Sequence, residues 1–251
     1  MQKKKSLGQH FLHSAHYLAL VADAAHIQKN ETVIEVGPGD GALTTELLAR
    51  GARVVAIEKD SRLIAVLQEK FAEEIAEKKF KLVEGDALDF EISKYLKKFK
   101  EYKIVGNIPY YITGALLKKF LTAPKQPSTL VFLVQKEVAE RIARSRKESI
   151  LSLSVKAYGE PRYVKTIPRG AFSPPPNVDS AILAVEHISR KNFRNAAHEK
   201  KFFELVRKGF GQKRKQLKNN LQINLADAHI PETARAEDVS LEQWLILAKI
   251  S

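Results

Sequence analysis

No cysteine occurs anywhere in the 251-residue chain, and that single absence excludes disulfides, thiolate nucleophiles and cysteine-containing zinc sites together. Long apolar runs are missing too, since nothing approaches the roughly 20 apolar residues that a membrane-spanning helix needs. The opening stretch, MQKKKSLGQHFLHSAHYLAL, has a basic tip, but Gln9, His10, His13, Ser14 and His16 interrupt the apolar segment that a secretory leader requires. A soluble, cytoplasmic protein is the expectation. Acidic residues are in short supply, with 29 Asp and Glu against 42 Lys and Arg, a formal charge of +13. Such an excess favours a polyanionic partner, because neutralising phosphates releases condensed counterions. Nucleic acid is the first candidate; an anionic membrane surface or plain solubility are the blander explanations.

From Glu31 onward, short β-branched runs alternate with longer helical patterns, the signature of βαβ units and a parallel sheet. Strands are expected at Thr32–Val36, Arg53–Ile57, Lys81–Glu84, Lys103–Val105 and Thr129–Val134. Helices are expected at Ala42–Arg50 and at Ser61–Lys79, where Leu63, Val66, Leu67, Phe71 and Ile75 fall near helical spacing, and around Lys136–Ala143. Ser152–Ala157, Arg162–Ile167 and Ser180–Val185 read as further strands, with Gly159-Glu160-Pro161 as a turn and Pro174-Pro175-Pro176 as a rigid loop. The sheet is thus expected to end in antiparallel strands. Beyond Ile188 the β signal fades into short helices, including Glu199–Phe210, Lys213–Gln222 and Leu241–Ile250. The domain boundary is drawn there, giving residues 1–188 and 189–251. Residues 189–220 carry eleven Lys or Arg and two Asp or Glu, a net +9. With Phe193, Phe202, Phe203 and Phe210 to pack underneath, this reads as an RNA-contacting helical lobe rather than only a solvated face.

The sharpest local feature is Glu35-Val36-Gly37-Pro38-Gly39-Asp40-Gly41, where the first of these strands gives way to a helix. Glycines there permit tight turning and close approach of a ligand to the backbone, and the following helix offers unpaired N–H groups. The position, outside the carboxyl ends of the strands, is where open α/β sheets bind nucleotides. Which nucleotide is left open by the spacing: a dinucleotide fingerprint wants a third Gly or Ala three residues after the second, where Ala42 is only a permissive match. Glu58, after the next strand, can accept from ribose hydroxyls of either kind of cofactor.

Two further strand ends bear on the choice. Asp86, in Gly85-Asp86-Ala87-Leu88, can accept from an adenine amino group, although an acid at that place is equally a helix cap. Asn107-Ile108-Pro109-Tyr110 ends a strand with an amide, a proline and an aromatic ring. An aryl amine is a poor nucleophile because its lone pair is delocalised into the ring. Acceptors that hold both N–H bonds and draw the nitrogen toward tetrahedral geometry assist its attack. The Asn107 Oδ1 and the Ile108 carbonyl are candidates for those acceptors, with Pro109 fixing the loop and Tyr110 stacking on the base.

At these residues the chain resembles the ribosomal RNA small-subunit adenine dimethyltransferase family, the bacterial enzymes associated with kasugamycin sensitivity. The resemblance runs through Gly8-Gln9-His10-Phe11-Leu12, the Glu35–Thr44 turn, Gly85–Leu88, Asn107–Tyr110, Gln135–Arg141, Phe172–Ala181 and the basic run Gly211–Leu221. It implies a Rossmann-like class I methyltransferase α/β sheet followed by a small helical domain. The implied activity is N6,N6-dimethylation of two adjacent adenosines near the 3′ end of small-subunit (16S) ribosomal RNA, within an assembling 30S-type particle, by a monomer. It implies S-adenosyl-L-methionine as cofactor, held by Gln9, His10, Leu12, Glu35, Gly37, Gly39, Glu58, Asp86, Ala87 and Asn107. The target adenine is implied to sit against Asn107, Ile108, Tyr110 and Phe172, and RNA against Lys213, Arg214 and Lys215. No metal is implied, and none is read into His10, His13 and His16 despite their three-residue spacing. Two departures stand out: His10 replaces an Asn frequent in related sequences, and Tyr111 stands where many have Asn.

Three rival readings share parts of this pattern. They are the large-subunit RNA methyltransferase of macrolide resistance, an RNA-binding assembly factor without chemistry, and a dehydrogenase. Gln135–Arg141, Phe172–Ala181 and the basic run speak for the small-subunit enzyme over the first.

Overall fold

The computed structural model describes residues 10–92, 101–212 and 214–250. Its frame is a sheet of seven strands in the order β4-β3-β2-β5-β6-β9-β7. These are β2 Thr32–Val36, β3 Arg53–Glu58, β4 Phe80–Glu84, β5 Lys103–Asn107, β6 Thr129–Gln135, β7 Glu160–Ile167 and β9 Ser180–Glu186. The first five run parallel, while β9 is antiparallel to both β6 and β7, so the sheet ends as expected. Residues of β2 and β6 are almost wholly buried, which fits β-branched runs covered on both faces.

The order reverses between β2 and β5, and ligands of open α/β sheets bind outside the strand ends at such a switch point. Helices α1 Ala15–Ala24, α2 Ala42–Ala49, α3 Ser61–Lys70 and α4 Ala72–Ala76 precede β4. The single helix expected over Ser61–Lys79 is broken at Phe71, whose backbone leaves the helical region, and Lys78 takes a positive φ before β4. Helices α5 Thr113–Leu121 and α6 Lys136–Ala143 follow β5 and β6.

The strand expected at Ser152–Ala157 is instead a helix, α7 Ile150–Lys156. Leu151, Leu153 and Val155 alternate with polar residues and imitate a strand. Ser149, however, closes a capping box: its Oγ accepts the Ser152 N–H at 3.0 Å, and the Ser152 Oγ accepts the Ser149 N–H at 2.7 Å. Ser152 also donates to Glu148 Oε2 at 2.6 Å, so a fully buried hydroxyl is satisfied inside a helix.

After β9 come α8 Ala196–Gly209, α9 Leu217–Leu221 and α10 Leu241–Ile250. The helix expected over Lys213–Gln222 is shorter: a 3₁₀ turn at Phe210–Gln212 precedes it, and Lys213 lies outside the described residues. Phe193, Phe202, Leu217 and Trp244 belong to the same apolar cluster as Ile34, Ile104 and Phe132 of the sheet. One more pairing ties the beginning of the described chain to a distant loop: β1, Phe11–Leu12, lies antiparallel to β8, Phe172–Ser173.

Candidate functional site

The turn after β2 is built on backbone that side chains disfavour. Gly39 has φ +61°, and a Cβ placed there would lie 2.8 Å from Cε1 of Phe11. Glu58, at the end of β3, holds this turn: its Oε2 accepts the Gly39 N–H at 3.1 Å and its Oε1 accepts the Asp60 N–H at 2.8 Å. Burial pushes the Glu58 carboxyl above its usual range, and these backbone donors pull the other way. A carboxylate has about four acceptor sites, so Glu58 retains capacity toward the cavity that it lines.

Two residues before Gly37, Glu35 is 1% exposed. Its Oε2 accepts the Thr44 hydroxyl at 2.6 Å, and its Oε1 has no partner among the described residues. Burial, opposed by the Thr44 hydrogen bond and reinforced by nearby Glu58, raises its carboxyl to about 8. Glu35 therefore sits behind the turn rather than in the cavity wall.

On the next strand end, Asp86 accepts the Leu88 N–H through Oδ1 at 2.8 Å and pairs through Oδ2 with the Lys59 ammonium at 2.6 Å. The lysine, first of all, holds the Asp86 carboxyl below its usual range. Nothing local in the sequence marks Lys59 as a partner; residues 59 and 86 meet only because β3 and β4 are adjacent and in register.

Asn107 closes β5. Its Nδ2 donates to the His10 carbonyl at 2.8 Å. A carbonyl can only accept, so the amide orientation is fixed and Oδ1 is left as the acceptor for anything entering the cavity. Gly106 allows this strand to press against β2, because a Cβ there would lie 2.7 Å from the Val36 carbonyl oxygen. Ile108 is buried, while Pro109 and Tyr110 are half-buried. Tyr110 shares a 2.6 Å hydrogen bond with Ser180 Oγ, and its ring is stacked on His10 at 6.2 Å between centroids and 22° between planes. The His10 Nδ1 is 2.8 Å from the Pro174 carbonyl, and with a carbonyl as partner the ring nitrogen is the donor.

One cavity thus gathers His10, Leu12, Gly37, Gly39, Glu58, Asp86, Ala87, Asn107, Ile108 and Tyr110. Gln9 lies outside the described residues. Phe172 is not in the cavity wall: it is 4% exposed, opposite Leu12 in the β1–β8 pairing and part of the apolar cluster beneath. Arg214 and Lys215 are exposed and stand apart from the cavity. Sequence reasoning missed the supports, namely the Lys59, Ser180 and Pro174 partners and the Phe11 ring packed on the glycine turn. Each joins elements far apart in the chain.

The cavity has the chemistry of a nucleoside site. Acceptors stand at three strand ends, apolar Ile57, Ala87 and Ile108 lie between them, and a glycine turn admits close backbone approach. The ribosomal RNA adenine dimethylase family matches residues 1–251. A ribosomal RNA small subunit methyltransferase A of Dehalococcoides mccartyi (strain CBDB1) is 43% identical over 256 residues, covering 97% of this chain and 87% of that protein. The protein of the same name in Fusobacterium nucleatum subsp. nucleatum is 36% identical over 260 residues, covering 98% and 97%. Among solved structures, the 23S rRNA methyltransferase ErmE aligns with a TM-score of 0.78 at 29% identity, covering 95% of this chain and 98% of that one. A dimethyladenosine transferase from Plasmodium falciparum aligns with a TM-score of 0.79 at 25% identity, covering 95% and 96%. The greater identity to the small-subunit proteins disfavours the large-subunit alternative.

Proposed function

The chain belongs to the ribosomal RNA adenine dimethylase family, and from that premise we propose that its cavity binds S-adenosylmethionine and one adenosine of small-subunit ribosomal RNA side by side. The chain is an S-adenosylmethionine-dependent methyltransferase that dimethylates adenosine in 16S ribosomal RNA. The observation that carries the site assignment is the Asn107 amide, anchored through Nδ2 on the His10 carbonyl so that Oδ1, which has no partner among the described residues, is left as the acceptor. Incubating the protein with labelled S-adenosylmethionine and under-methylated small subunits, followed by nucleoside analysis, should yield N6,N6-dimethyladenosine at two adjacent positions near the 3′ end. Small-subunit RNA left without labelled N6,N6-dimethyladenosine would overturn the reading.

When bound, S-adenosylmethionine supplies an electrophilic methyl on a sulfonium, so the protein needs no strong base or metal to activate it. The work left to the chain is in-line positioning and exclusion of water. Asn107 Oδ1 and the Ile108 carbonyl accept the hydrogens of the target amine. Tyr110, braced by Ser180 and His10, offers its ring to an adenine taken out of the RNA stack. Phe172 is assigned to the same adenine, which it reaches only if the β1–β8 cover above it opens.

On the cofactor side, Gly37 and Gly39 admit the methionine part. Leu12 and Ala87 supply apolar wall, Gln9 and His10 flank the cofactor, Glu58 accepts from ribose, and Asp86 accepts from the adenine amino group. Glu35 supports this set from behind the turn. Asp86→Ala is expected to weaken S-adenosylmethionine binding by about 10- to 100-fold, the range for losing a hydrogen bond to a charged group. Lys59→Met, which frees Asp86 without removing it, should change affinity far less. Calorimetry of both variants checks this, and unchanged affinity in Asp86→Ala would remove Asp86 from the cofactor site.

We assign residues 189–251 to the RNA side, as a helical domain that grips the assembling 30S-type particle, and take the protein to act in the cytoplasm as a monomer. Among the described residues no helix is long and apolar enough to cross a membrane. The exposed Arg214 and Lys215, with Lys213 beside them in the sequence, suit phosphate contacts that position without reading sequence. Changing all three to Gln should weaken particle binding about tenfold or more and make its salt dependence shallower, while S-adenosylmethionine affinity stays at the parent value. Parent-like particle affinity and salt slope would mark the run as a solvated face.

A further inference from the structure

Tyr111 is 69% exposed, more than any other large apolar or aromatic side chain among the described residues. It nevertheless lines the cavity that holds Asn107 and Tyr110. Its position follows from its neighbours. The 3₁₀ turn Tyr110–Ile112 is closed by the Ile112 N–H on the Pro109 carbonyl at 3.2 Å. Tyr110 is tied inward to Ser180, Ile112 packs on the main apolar cluster, and Thr113 is buried at the start of α5. With both flanking residues committed inward, the Tyr111 ring is held outward on a rigid segment. Among the described residues it makes no hydrogen bond or ring contact, so the fold gains little from an aromatic there. Exposed singly on a surface, a tyrosine needs no explanation; fixed at the rim of a catalytic cavity, it is placed to meet substrate.

Its surroundings narrow what that substrate part is. The Lys59 side chain is 58% exposed at the same rim, where its ammonium pairs with Asp86 at 2.6 Å. A flat π-face beside a cation suits a nucleotide, with the base on the ring and the phosphate toward the ammonium. Single-stranded RNA is recognised largely by stacking splayed bases on aromatic rings. Taking one adenosine out of its stack also exposes the face of its neighbour.

Resting on the methyl-transfer reading above, we propose that Tyr111 is a stacking platform for the nucleotide next to the target adenosine, set one residue away from the ring that holds the target itself. A side chain without a ring at this place would offer no such face, so the contact rests on the Tyr111 ring itself.

The test compares Tyr111→Ala and Tyr111→Phe on under-methylated small subunits. The Ala variant should raise KM by about 5- to 100-fold, the range for losing one base–aromatic stack, with kcat and S-adenosylmethionine affinity at parent values. The Phe variant should match the parent. In a ribosomal RNA fragment carrying 2-aminopurine beside the target adenosine, the parent and the Phe variant should quench fluorescence on binding, and the Ala variant should not. Parent-like KM and quenching in the Ala variant would overturn the proposal. So would equal damage from Phe and Ala, which would assign the hydroxyl, or a loss of cofactor affinity, which would make Tyr111 a cofactor wall. If the parent itself forms no dimethyladenosine on these particles, the methyl-transfer reading falls and this proposal with it; if it does, a parent-like Ala variant defeats the stacking alone.

Discussion

Asn107→Ala is expected to slow methyl transfer by about 10²- to 10³-fold, the cost of losing one preorganised hydrogen-bonding group aimed at the reacting atom, while S-adenosylmethionine affinity changes only a few-fold. The asymmetry comes from how the amide is held. Nδ2 is used on the His10 carbonyl, which fixes the side chain, and Oδ1 is the atom left to act on the amine. That action matters most as the nitrogen loses conjugation with its ring, so the loss belongs to the rate rather than to binding. Asn107→Asp should fall between parent and Ala, since it keeps an acceptor but cannot donate to His10. Single-turnover rates set beside calorimetric affinities decide the matter. Equal losses in both for the Ala variant would reduce Asn107 to a cofactor contact.

The parts of the site that lie on one strand end were legible in the sequence, and those that need two distant elements were not. Gly37, Gly39, Asp86 and Asn107 each follow a β-branched run, and open α/β topology brings such ends to one edge, so their gathering follows from pattern alone. The pairing of Phe11–Leu12 with Phe172–Ser173 has no such local origin. It seats Leu12 in the cavity wall and covers Phe172, and neither two-residue strand carries a readable period. Lys59 and Asp86 are in the same position, brought together by strand register. Ser152–Ala157 misled for a different reason: three apolar residues at alternate positions fit a strand, and only the serine cap at Ser149 decided for a helix. In the helical region after Ile188 the aromatic residues were correctly expected to pack underneath, and Phe193 and Phe202 do so. How far that packing continues into the sheet's own core rests on contacts of Leu217 and Trp244 that no short window contains.

The second large effect concerns acid and base. Glu35 is buried with one oxygen on Thr44 and the other without a partner among the described residues, and burial raises its carboxyl to about 8. In the unfolded chain the same carboxyl releases its proton near the ordinary value of 4.5. Between those values the native state binds more protons than the unfolded state, so unfolding free energy falls as pH rises, by up to about 1.4 kcal/mol per pH unit. The proton-linked stability is fully present below the unfolded value and is lost as pH rises through about 8. Glu35→Gln removes the titration. It keeps an amide oxygen for the Thr44 hydroxyl, puts an NH₂ where the neutral acid would hold its proton, and cannot ionise. From about pH 6 to about pH 8 the variant should therefore gain roughly 2–3 kcal/mol on the parent in urea unfolding, with the difference levelling off above that range. Two stability curves that run parallel across the whole span would mean that Glu35 is already ionised in the fold, and that the turn at Gly37 rests on a buried carboxylate rather than on a neutral acid.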